Sequence, residues 1–423
     1  MKEDLVRLRR EIHRHAELPF LEIATAALIL RELDGLPVRI RTGSDAMRRD
    51  QVVDYPSAEK VMEAADAART AGADEQTVAS LAQDGTAVIV DLPGNRPGPT
   101  WALRFDIDGL PIIESDVEEH APAREGFASR TEAMHACGHD GHTAIGLVLI
   151  RRLIDGDFPG HVRVLFQPAE EGCRGAAAMI PAGAVDGVDR FLALHLGHAL
   201  PTGLAVGTGV DVQATVKYRV RFTGVEAHAA GSPQEGRNAI AAAATSILHI
   251  LALPRSGRAT TNANVGVIEG GTASNIVPSS CQFVGEVRSD DGATCADLIE
   301  RVRGIVDGAA RIWDVQARLE VIAESTTLES DDELIDEVVA AGRRLFGDGG
   351  VQRTAPMNAS DDATIFAREV QRRGGLATYV MVGGANQYPH HHPRFDIDEE
   401  CLVPAVRWLE EIIRSPEDPD PDG

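Results

Sequence analysis

Apolar residues recur along the chain with two spacings, one typical of helices and one typical of strands. Between residues 5 and 33 they return every three or four positions, and a break at Glu17-Leu18-Pro19 divides this stretch into two helices. The same spacing predicts later helices at 238–253, 293–312, 332–346 and 401–414. Short apolar runs bounded by turn residues predict strands at 86–92, 100–108, 162–167, 191–196 and 376–382. The pattern therefore predicts an α/β fold, with a mixed, mostly parallel sheet flanked by helices.

A second pattern begins at residue 212, where strands alternate apolar and polar positions. Four strands and two helices follow in the order strand-helix-strand-strand-helix-strand, which is typical of a ferredoxin-like α+β domain. We assign residues 212–326 to this smaller domain, because a chain of 423 residues exceeds the size of one core. Residues 1–211 and 327–423 would form the catalytic domain, with a surface insertion at 43–84 and a disordered, Pro/Asp-rich tail at 415–423.

Composition excludes several classes of partner. A net charge of −24 argues against binding to nucleic acids or to anionic membranes, which need a basic surface. The apolar runs are too short to span a bilayer. The five cysteines are scattered, and the first ten residues are charged and lack the apolar core of a signal peptide. We therefore expect a cytoplasmic protein with reduced thiols.

Residues 134–143 contain five side chains that could bind a metal or take part in catalysis: one thiol, three imidazoles and one carboxylate. Cys137 and His139 stand two positions apart, so on an extended turn both side chains point to the same side and could bind one ion. An apolar run from Ala144 predicts that a helix begins after Thr143, which places the cluster on the preceding loop. The alternative interpretation is a buried cysteine beside unrelated surface histidines.

Other candidate residues follow predicted strands. Asp108, with Asp106, ends one strand; Glu170 and Glu171 follow another; His195 lies in a third. Ligands bind at the carboxyl ends of strands in open α/β sheets, so these side chains could face a common site. The alternatives are a turn cap for Asp108 and a buried core histidine for His195.

With Cys137, His139 and one of the histidines at 390–392, this set offers thiolate, imidazole and carboxylate ligands, which suit divalent first-row transition ions. A metal that lowers the pKa of water from about 15.7 to about 7 supplies about 12 kcal/mol of proton affinity. One oxyanion donor supplies only about 3–4 kcal/mol. The sequence has neither a Gly-x-Ser-x-Gly motif nor a Walker loop, so serine and nucleotide chemistry lack support.

Six motifs together resemble the M20 metallopeptidase family, and more closely its amidohydrolase branch, which contains auxin-conjugate and aminobenzoyl-glutamate hydrolases. They lie at residues 10–18, 106–111, 134–143, 166–172, 194–195 and 391–396. The insertion at 43–84 and residues 125–129 look most like the A-subunit type of aminobenzoyl-glutamate hydrolase. The resemblance implies a catalytic domain interrupted by a lid domain that often dimerises.

The resemblance also implies roles for individual residues. The implied metal ligands are Cys137, His139, Glu171, His195 and His391. Glu170 is the implied general base, and Asp108 matches an acidic position near the metals, which we class with the catalytic residues. His391 has the family's spacing of four residues before Phe395, and His390 and His392 are the alternatives.

The implied substrate-binding residues lie in the smaller domain. His228 matches a lid histidine that binds the substrate carbonyl or carboxylate. Asn275 and Arg288 fall where relatives hold a substrate carboxylate, although Arg288 could also be a surface charge at a strand end. The sequence departs from its relatives at Gly109, where alanine is usual, and at His198, which adds a polar group near the site.

We therefore expect a metal-dependent amidohydrolase that cleaves the amide bond of an N-acyl or N-aroyl amino acid. Its cofactors would be two divalent transition ions, zinc or manganese, with cobalt or nickel as alternatives. Its partners would be the small substrate and a second copy of the chain bound through the lid; a different but related protein chain is a further option. The alternatives are a metal-binding partner without catalytic activity, another M20-type aminoacylase or carboxypeptidase, and a thiol hydrolase using Cys137 with His139.

Overall fold

The computed structural model describes residues 1–415, which divide into two compact units. The first comprises Met1–Val210, Leu328–Met357 and the chain from Asp361 onward, and the second comprises Asp211–Thr327 with Asn358–Ser360. Apart from Ser415, the tail predicted to be disordered lies outside the described residues.

The chain begins with two helices separated as predicted, because Glu17 accepts the backbone N–H groups of Ala24 and Thr25 at the start of the second helix. A short strand and two further helices follow, the latter beginning with capping side chains, Ser57 and Asp74. These elements are α1 (Lys2–Arg14), α2 (Ile23–Leu33), β1 (Arg39–Arg41), α3 (Ala58–Thr70) and α4 (Glu75–Asp84).

Most strands of the first unit come next in the chain. The elements are β2 (Val88–Pro93), β3 (Arg96–Asp106), α5 (Ala121–Arg124), α6 (His139–Leu153), β4 (Pro159–Gln167), α7 (Gly175–Met179), β5 (Arg190–Gly197) and β6 (Ala205–Val210). The predicted helix start after Thr143 is wrong: α6 begins at His139. Gly138 has a φ of +88°, and its carbonyl accepts the N–H groups of Gly141 and His142, so the first turn forms there.

The second unit has its own sheet and core. Its elements are β7 (Ala214–Thr223), β8 (Ala227–His228), α8 (Ala239–Leu251), β9 (Thr261–Gly270), β10 (Ile276–Val277), β11 (Ser280–Ser289), α9 (Gly292–Trp313) and β12 (Gln316–Ser325). Four strands form an antiparallel sheet in the order β12-β7-β11-β9, on which α8 and α9 pack around Tyr218, Phe283 and Val302. This confirms the predicted ferredoxin-like arrangement.

The chain then completes the first unit with α10 (Asp332–Phe346), β13 (Val351–Pro356), α11 (Ala363–Arg372), β14 (Leu376–Gly383) and α12 (Leu402–Arg414). Its sheet has the order β1-β2-β4-β3-β5-β14-β6-β13. The neighbours β4, β3, β5 and β14 run parallel, so their carboxyl ends meet at one edge. Strands β6 and β13 and helix α11 were not predicted.

Close packing fixes the position of α6 on this sheet. A Cβ atom at Gly146 would lie 2.8 Å from the rings of Phe105 on β3 and Phe166 on β4, so only glycine lets the helix approach so closely. The helix therefore presents its first turn at the edge where the parallel strands end. Within residues 1–415, no helix has both the length and the apolar character needed to cross a bilayer.

Candidate metal centre

Backbone hydrogen bonds gather the loops at the carboxyl edge of β4, β3, β5 and β14. Leu110, after β3, exchanges two 2.9 Å hydrogen bonds with Met134, at the start of the cluster loop. The backbone N–H of His391, after β14, donates to the carbonyl of Ala136 over 2.8 Å. The segments that carry Cys137 and His391 are therefore held together by their main chains, independently of any ion.

Cys137 and His195 come together at one end of this group. The Cys137 Sγ atom lies 3.4 Å from Nε2 of His195, and both side chains are buried. Nδ1 of His195 donates to the carbonyl of Leu196 over 2.8 Å, which leaves the lone pair on Nε2 directed at the thiol. A ligand histidine is commonly oriented by such a bond on its other nitrogen.

His139, Glu170 and Glu171 form the other end. Nδ1 of His139 lies 2.9 Å from the carbonyl of Asp108, and Nε2 lies 3.8 Å from Glu170 and 3.9 Å from Glu171. Nε2 of His391 lies 3.4 Å from the second oxygen of Glu171. Cys137 joins the two ends, because its Sγ lies within 4.8 Å of ligand atoms of His139 and His195 and also of Glu171 and His391. The structure therefore brings together all five predicted ligands and the predicted base.

The charges and unpaired atoms of this group fit bound cations. Burial and the carboxylates of Asp361 and Glu171 hold the pKa of Glu170 well above its ordinary value, and burial raises the pKa of Glu171 to about 8. Nε2 of His139 and Oε1 of Glu171 are buried and have no hydrogen-bond partner among the described residues. A divalent ion between such lone pairs would relieve both features.

The environment of the Cys137 thiol does not favour its action as a free nucleophile. Burial, with Glu171 and Glu170 nearby, raises the pKa of Cys137 well above its ordinary value, whereas a nucleophilic cysteine needs a lowered pKa. The nitrogen that contacts its sulfur also belongs to His195. The geometry therefore disfavours a thiol hydrolase that uses Cys137 with His139.

Two buried carboxylates hold the loop that carries Glu170 and Glu171. Asp108 accepts the backbone N–H groups of both residues, each over 3.1 Å. Glu22 accepts the N–H of Ala169 over 2.9 Å, and Ala169 has a φ of +56°, which is unusual outside glycine. Asp108 thus lies behind the predicted base, where it positions the loop. The role of Glu22 was missed because nothing in its local pattern signals a contact with residue 169.

A buried ionic network lies beneath the loop, and no sequence pattern signalled it. Arg104 is fully buried and hydrogen-bonds Gln167, Asp106 and Asp361. Asp106 also accepts a bond from Nδ1 of His142, whose Nε2 accepts the N–H of Leu196 over 2.9 Å. His142, one of the three imidazoles in the cluster, therefore has a structural role. Apart from Asp106, the partners of Arg104 are remote in sequence, so spacing could not reveal them.

Comparison with known proteins assigns the chain to a family. Residues 102–415 match the sequence profile described as Peptidase family M20/M25/M40. The chain belongs to this family. It is 36% identical over 410 residues to indole-3-acetyl-aspartic acid hydrolase of Enterobacter agglomerans, covering 96% of this chain and 94% of the relative. It is also 34% identical over 405 residues to the A-subunit of p-aminobenzoyl-glutamate hydrolase from Escherichia coli K12, covering 95% and 93%.

Comparison with a solved structure also supports membership of this family. The aminobenzoyl-glutamate utilization protein from Klebsiella pneumoniae is 34% identical, with a TM-score of 0.81 over 98% of this chain and 96% of that chain. The resemblance to the M20 amidohydrolases is thereby confirmed, as is the predicted fold class. The M20 chain is a metal-dependent hydrolase of linear amide bonds.

The predicted substrate-binding residues of this M20 chain all lie in the second unit. His228, on β8, has an exposed side chain whose Nδ1 accepts the N–H groups of Ala230 and Gly231. The carbonyl of Asn275 accepts the N–H of Ala229 over 3.0 Å, so Asn275 lies beside the His228 loop. Arg288, on β11, forms a two-point ion pair with Glu286.

The three consecutive histidines of the M20 chain differ in their contacts. His391, with a side chain 54% exposed, contacts Glu171 as described. The ring of His392 stacks on Tyr388, and its Nδ1 accepts the N–H of Arg394. The ring centroid of His390 lies 5.1 Å from that of His195.

Proposed function

We propose that this chain hydrolyses the amide bond between an acyl or aroyl group and an amino acid, at a centre of two divalent transition ions. The ligands would be Cys137, His139, Glu171, His195 and His391. One observation carries the proposal: Nε2 of His139 and Oε1 of Glu171 lie 3.9 Å apart, buried and without hydrogen-bond partners among the described residues. Two adjacent ligand atoms that are buried and lack hydrogen-bond partners suit an ion between them.

Two ions bound there would polarise the amide carbonyl and lower the pKa of water in the site. Glu170 accepts a proton from the attacking water, whose oxygen then bonds to the carbonyl carbon. The bond from carbon to nitrogen breaks, and Glu170 gives the proton to the departing amine. Glu170 suits both steps, because a carboxylate can take up a proton and return it, and its loop is anchored by Asp108.

The substrate class is inferred from the relatives and from the second unit. The two relatives are named for indole-3-acetyl-aspartate and for p-aminobenzoyl-glutamate, both acidic amino acids with an aromatic acyl group. We infer a similar conjugate for this chain. His228 would bind the carbonyl or carboxylate, and Asn275 with Arg288 would bind the carboxylate. A carboxylate would then compete with Glu286 for Arg288.

The second unit also supports self-association. Strand β9 is an edge of its sheet and carries the exposed apolar residues Val267 and Ile268. Leu248 and Leu251 are exposed on α8, which packs against the same strand. An exposed apolar edge is suited to pairing with another strand. We infer a homodimer formed through this unit. Assembly with a different, related chain is the alternative, since the Escherichia coli relative is named as one subunit of its enzyme.

None of the five cysteines, all of which lie among the described residues, is in a disulfide bond, which supports the predicted reducing compartment. The choice between zinc, manganese, cobalt and nickel rests on ligand chemistry alone: thiolate and imidazole favour zinc, and the carboxylates also suit manganese.

The variant Glu170→Gln tests the proposed mechanism. It preserves the size of the side chain and the backbone bonds to Asp108, but it removes the proton acceptor. We expect metal content to remain at the wild-type level while turnover of aminobenzoyl-glutamate, acyl-glutamates and acyl-aspartates falls by about 10²–10⁴-fold. Wild-type turnover in this variant would contradict the role of Glu170. If the wild-type chain binds metal but hydrolyses none of these substrates, the non-catalytic metal-binding partner is favoured.

A further inference from the structure

A strained segment follows β5 and carries a histidine that the proposed mechanism does not use. Gly197, His198 and Ala199 all have positive φ, at +96°, +55° and +54°. Positive φ is unfavourable for residues with a side chain, so two consecutive cases indicate a conformation held by its surroundings. Asn386 holds it, because its side-chain oxygen accepts the N–H of Ala199 over 2.9 Å.

The strained segment directs His198 at two other imidazoles. The ring centroid of His198 lies 4.6 Å from that of His195 and 4.9 Å from that of His390. Gly197 makes room for this arrangement, since a Cβ atom there would lie 2.9 Å from Nε2 of His390. One ring nitrogen from each of the three histidines lies within 4.8 Å of the others. Three imidazoles at this separation are a common zinc ligand set.

An unsatisfied atom in this group indicates a missing partner. Nε2 of His198 is buried and has no hydrogen-bond partner among the described residues. Nε2 of His390 lies 3.3 Å from the carbonyl of Leu196, a long contact to an oxygen that already accepts Nδ1 of His195 over 2.8 Å. A buried imidazole nitrogen without a partner is unfavourable, and a metal ion would satisfy it.

His195 cannot serve this group and the Cys137 group at once. Its Nδ1 is engaged by Leu196, so only Nε2 can bind an ion, and Cys137 lies 3.4 Å from that nitrogen. The two ligand sets are therefore alternative positions for one ion that remains bound to His195. His198 and His390 are half-buried, whereas Cys137 and His139, whose ligand atoms also lie within 4.8 Å of that of His195, are buried, so the imidazole set is the more accessible of the two to an ion arriving from solvent.

We propose that His195, His198 and His390 form a loading site, where an incoming divalent transition ion is held by imidazoles before it passes to Cys137. The inference rests on the proposed function, because it takes Cys137 and His195 as ligands of the final centre. The loading site would not change the number of ions bound at equilibrium. It would change the rate at which the thiolate acquires its ion.

Anaerobic stopped-flow mixing of the metal-free full chain with Co²⁺ separates these stages. Imidazole ligands give only weak visible bands, whereas a thiolate ligand adds an intense charge-transfer band in the near ultraviolet. In the wild type we expect visible absorption first and the charge-transfer band later. In His198→Ala and His390→Ala the early phase should be lost, and the charge-transfer band should form more slowly, on the order of tenfold.

Controls separate this inference from the proposed function. His249→Ala removes an exposed histidine on α8 and should behave as wild type, and Cys137→Ser should abolish the charge-transfer band. Final cobalt content should be equal in wild type, His198→Ala and His390→Ala, which also shows that both variants fold. If the band forms in wild type without an early phase, or at an unchanged rate in both variants, the loading site is overturned. If it never forms in wild type, Cys137 is not a ligand and both proposals fail.

Discussion

The carboxylate of Asp108 accepts the backbone N–H of Glu170 over 3.1 Å, and its second oxygen accepts the N–H of Glu171 at the same distance. Oδ1 of Asp108 also lies 3.4 Å from Nδ1 of His139. One buried side chain thus fixes the proposed base and adjoins two proposed ligands. Asp108 acts through its neighbours, so its loss should affect metal binding and turnover together.

Replacing Asp108 by Asn puts an amide donor opposite one of the two backbone N–H groups. The loop should shift, and we expect both metal affinity and kcat to fall by about 10–100-fold, as for other residues that orient metal ligands. Chelator competition and steady-state kinetics measure the two effects. The control Asp116→Asn changes an exposed residue of a neighbouring loop and should have no effect. A loss of kcat at full metal affinity would instead indicate direct action on the substrate.

Glu22 should tolerate glutamine but not alanine. Glutamine can still accept the N–H of Ala169 and can donate to the hydroxyl of Thr86, which now donates to Glu22. Alanine leaves that N–H without its acceptor, so residue 169 can leave its positive-φ conformation. We expect kcat to fall on the order of tenfold in Glu22→Ala, with little change in KM, and to stay near wild type in Glu22→Gln. Equal losses in both variants would show that the negative charge matters instead.

The stability of the chain should depend on pH through His13. Burial lowers the pKa of this residue, but hydrogen bonds to Asp140 and Glu114 outweigh that effect and raise the pKa from 6.5 to about 9. Folding therefore favours the protonated form, and this contribution is complete below pH 6.5 and is lost as the pH rises through about 9. The free energy of unfolding, measured with urea at several pH values across this range, should decline more steeply in wild type than in His13→Gln. The same pH dependence of the free energy of unfolding in both proteins would contradict the proposed role of His13.

Arg104 should be essential for stability. Its fully buried guanidinium faces Asp106 and Asp361, so Arg104→Met leaves their charges uncompensated and should lower the free energy of unfolding by about 3–5 kcal/mol. Denaturant unfolding of the metal-free chain measures this without a contribution from bound ions. Arg318→Met is the matched control, because that side chain is 73% exposed and should change the free energy by less than about 0.5 kcal/mol. A similarly small effect at Arg104 would mean that solvent reaches the network.

The sequence was informative where local pattern and chemistry coincide. Polar residues at or near the ends of apolar strands predicted that Asp108, Glu170 and His195 lie near one sheet edge, because parallel strands align their carboxyl ends. Prediction from the sequence failed where contacting residues are far apart in the chain or where the hydrophobic pattern of a strand is weak. Strand β6 is rich in glycine, and β13 has three consecutive polar residues and ends in proline, so neither has a strand signature. The contacts of Arg104 with Asp361 join residues 257 positions apart, which no local spacing can reveal.

The most direct test of the account is the metal content of the purified chain, measured by inductively coupled plasma mass spectrometry after loading and desalting. We predict two divalent ions per wild-type chain and fewer in Cys137→Ser and Glu171→Gln, while Asp116→Asn keeps the wild-type value. The result that would contradict the account is a wild-type chain that hydrolyses acyl amino acids without bound metal, or one whose metal content is unaffected by both ligand substitutions.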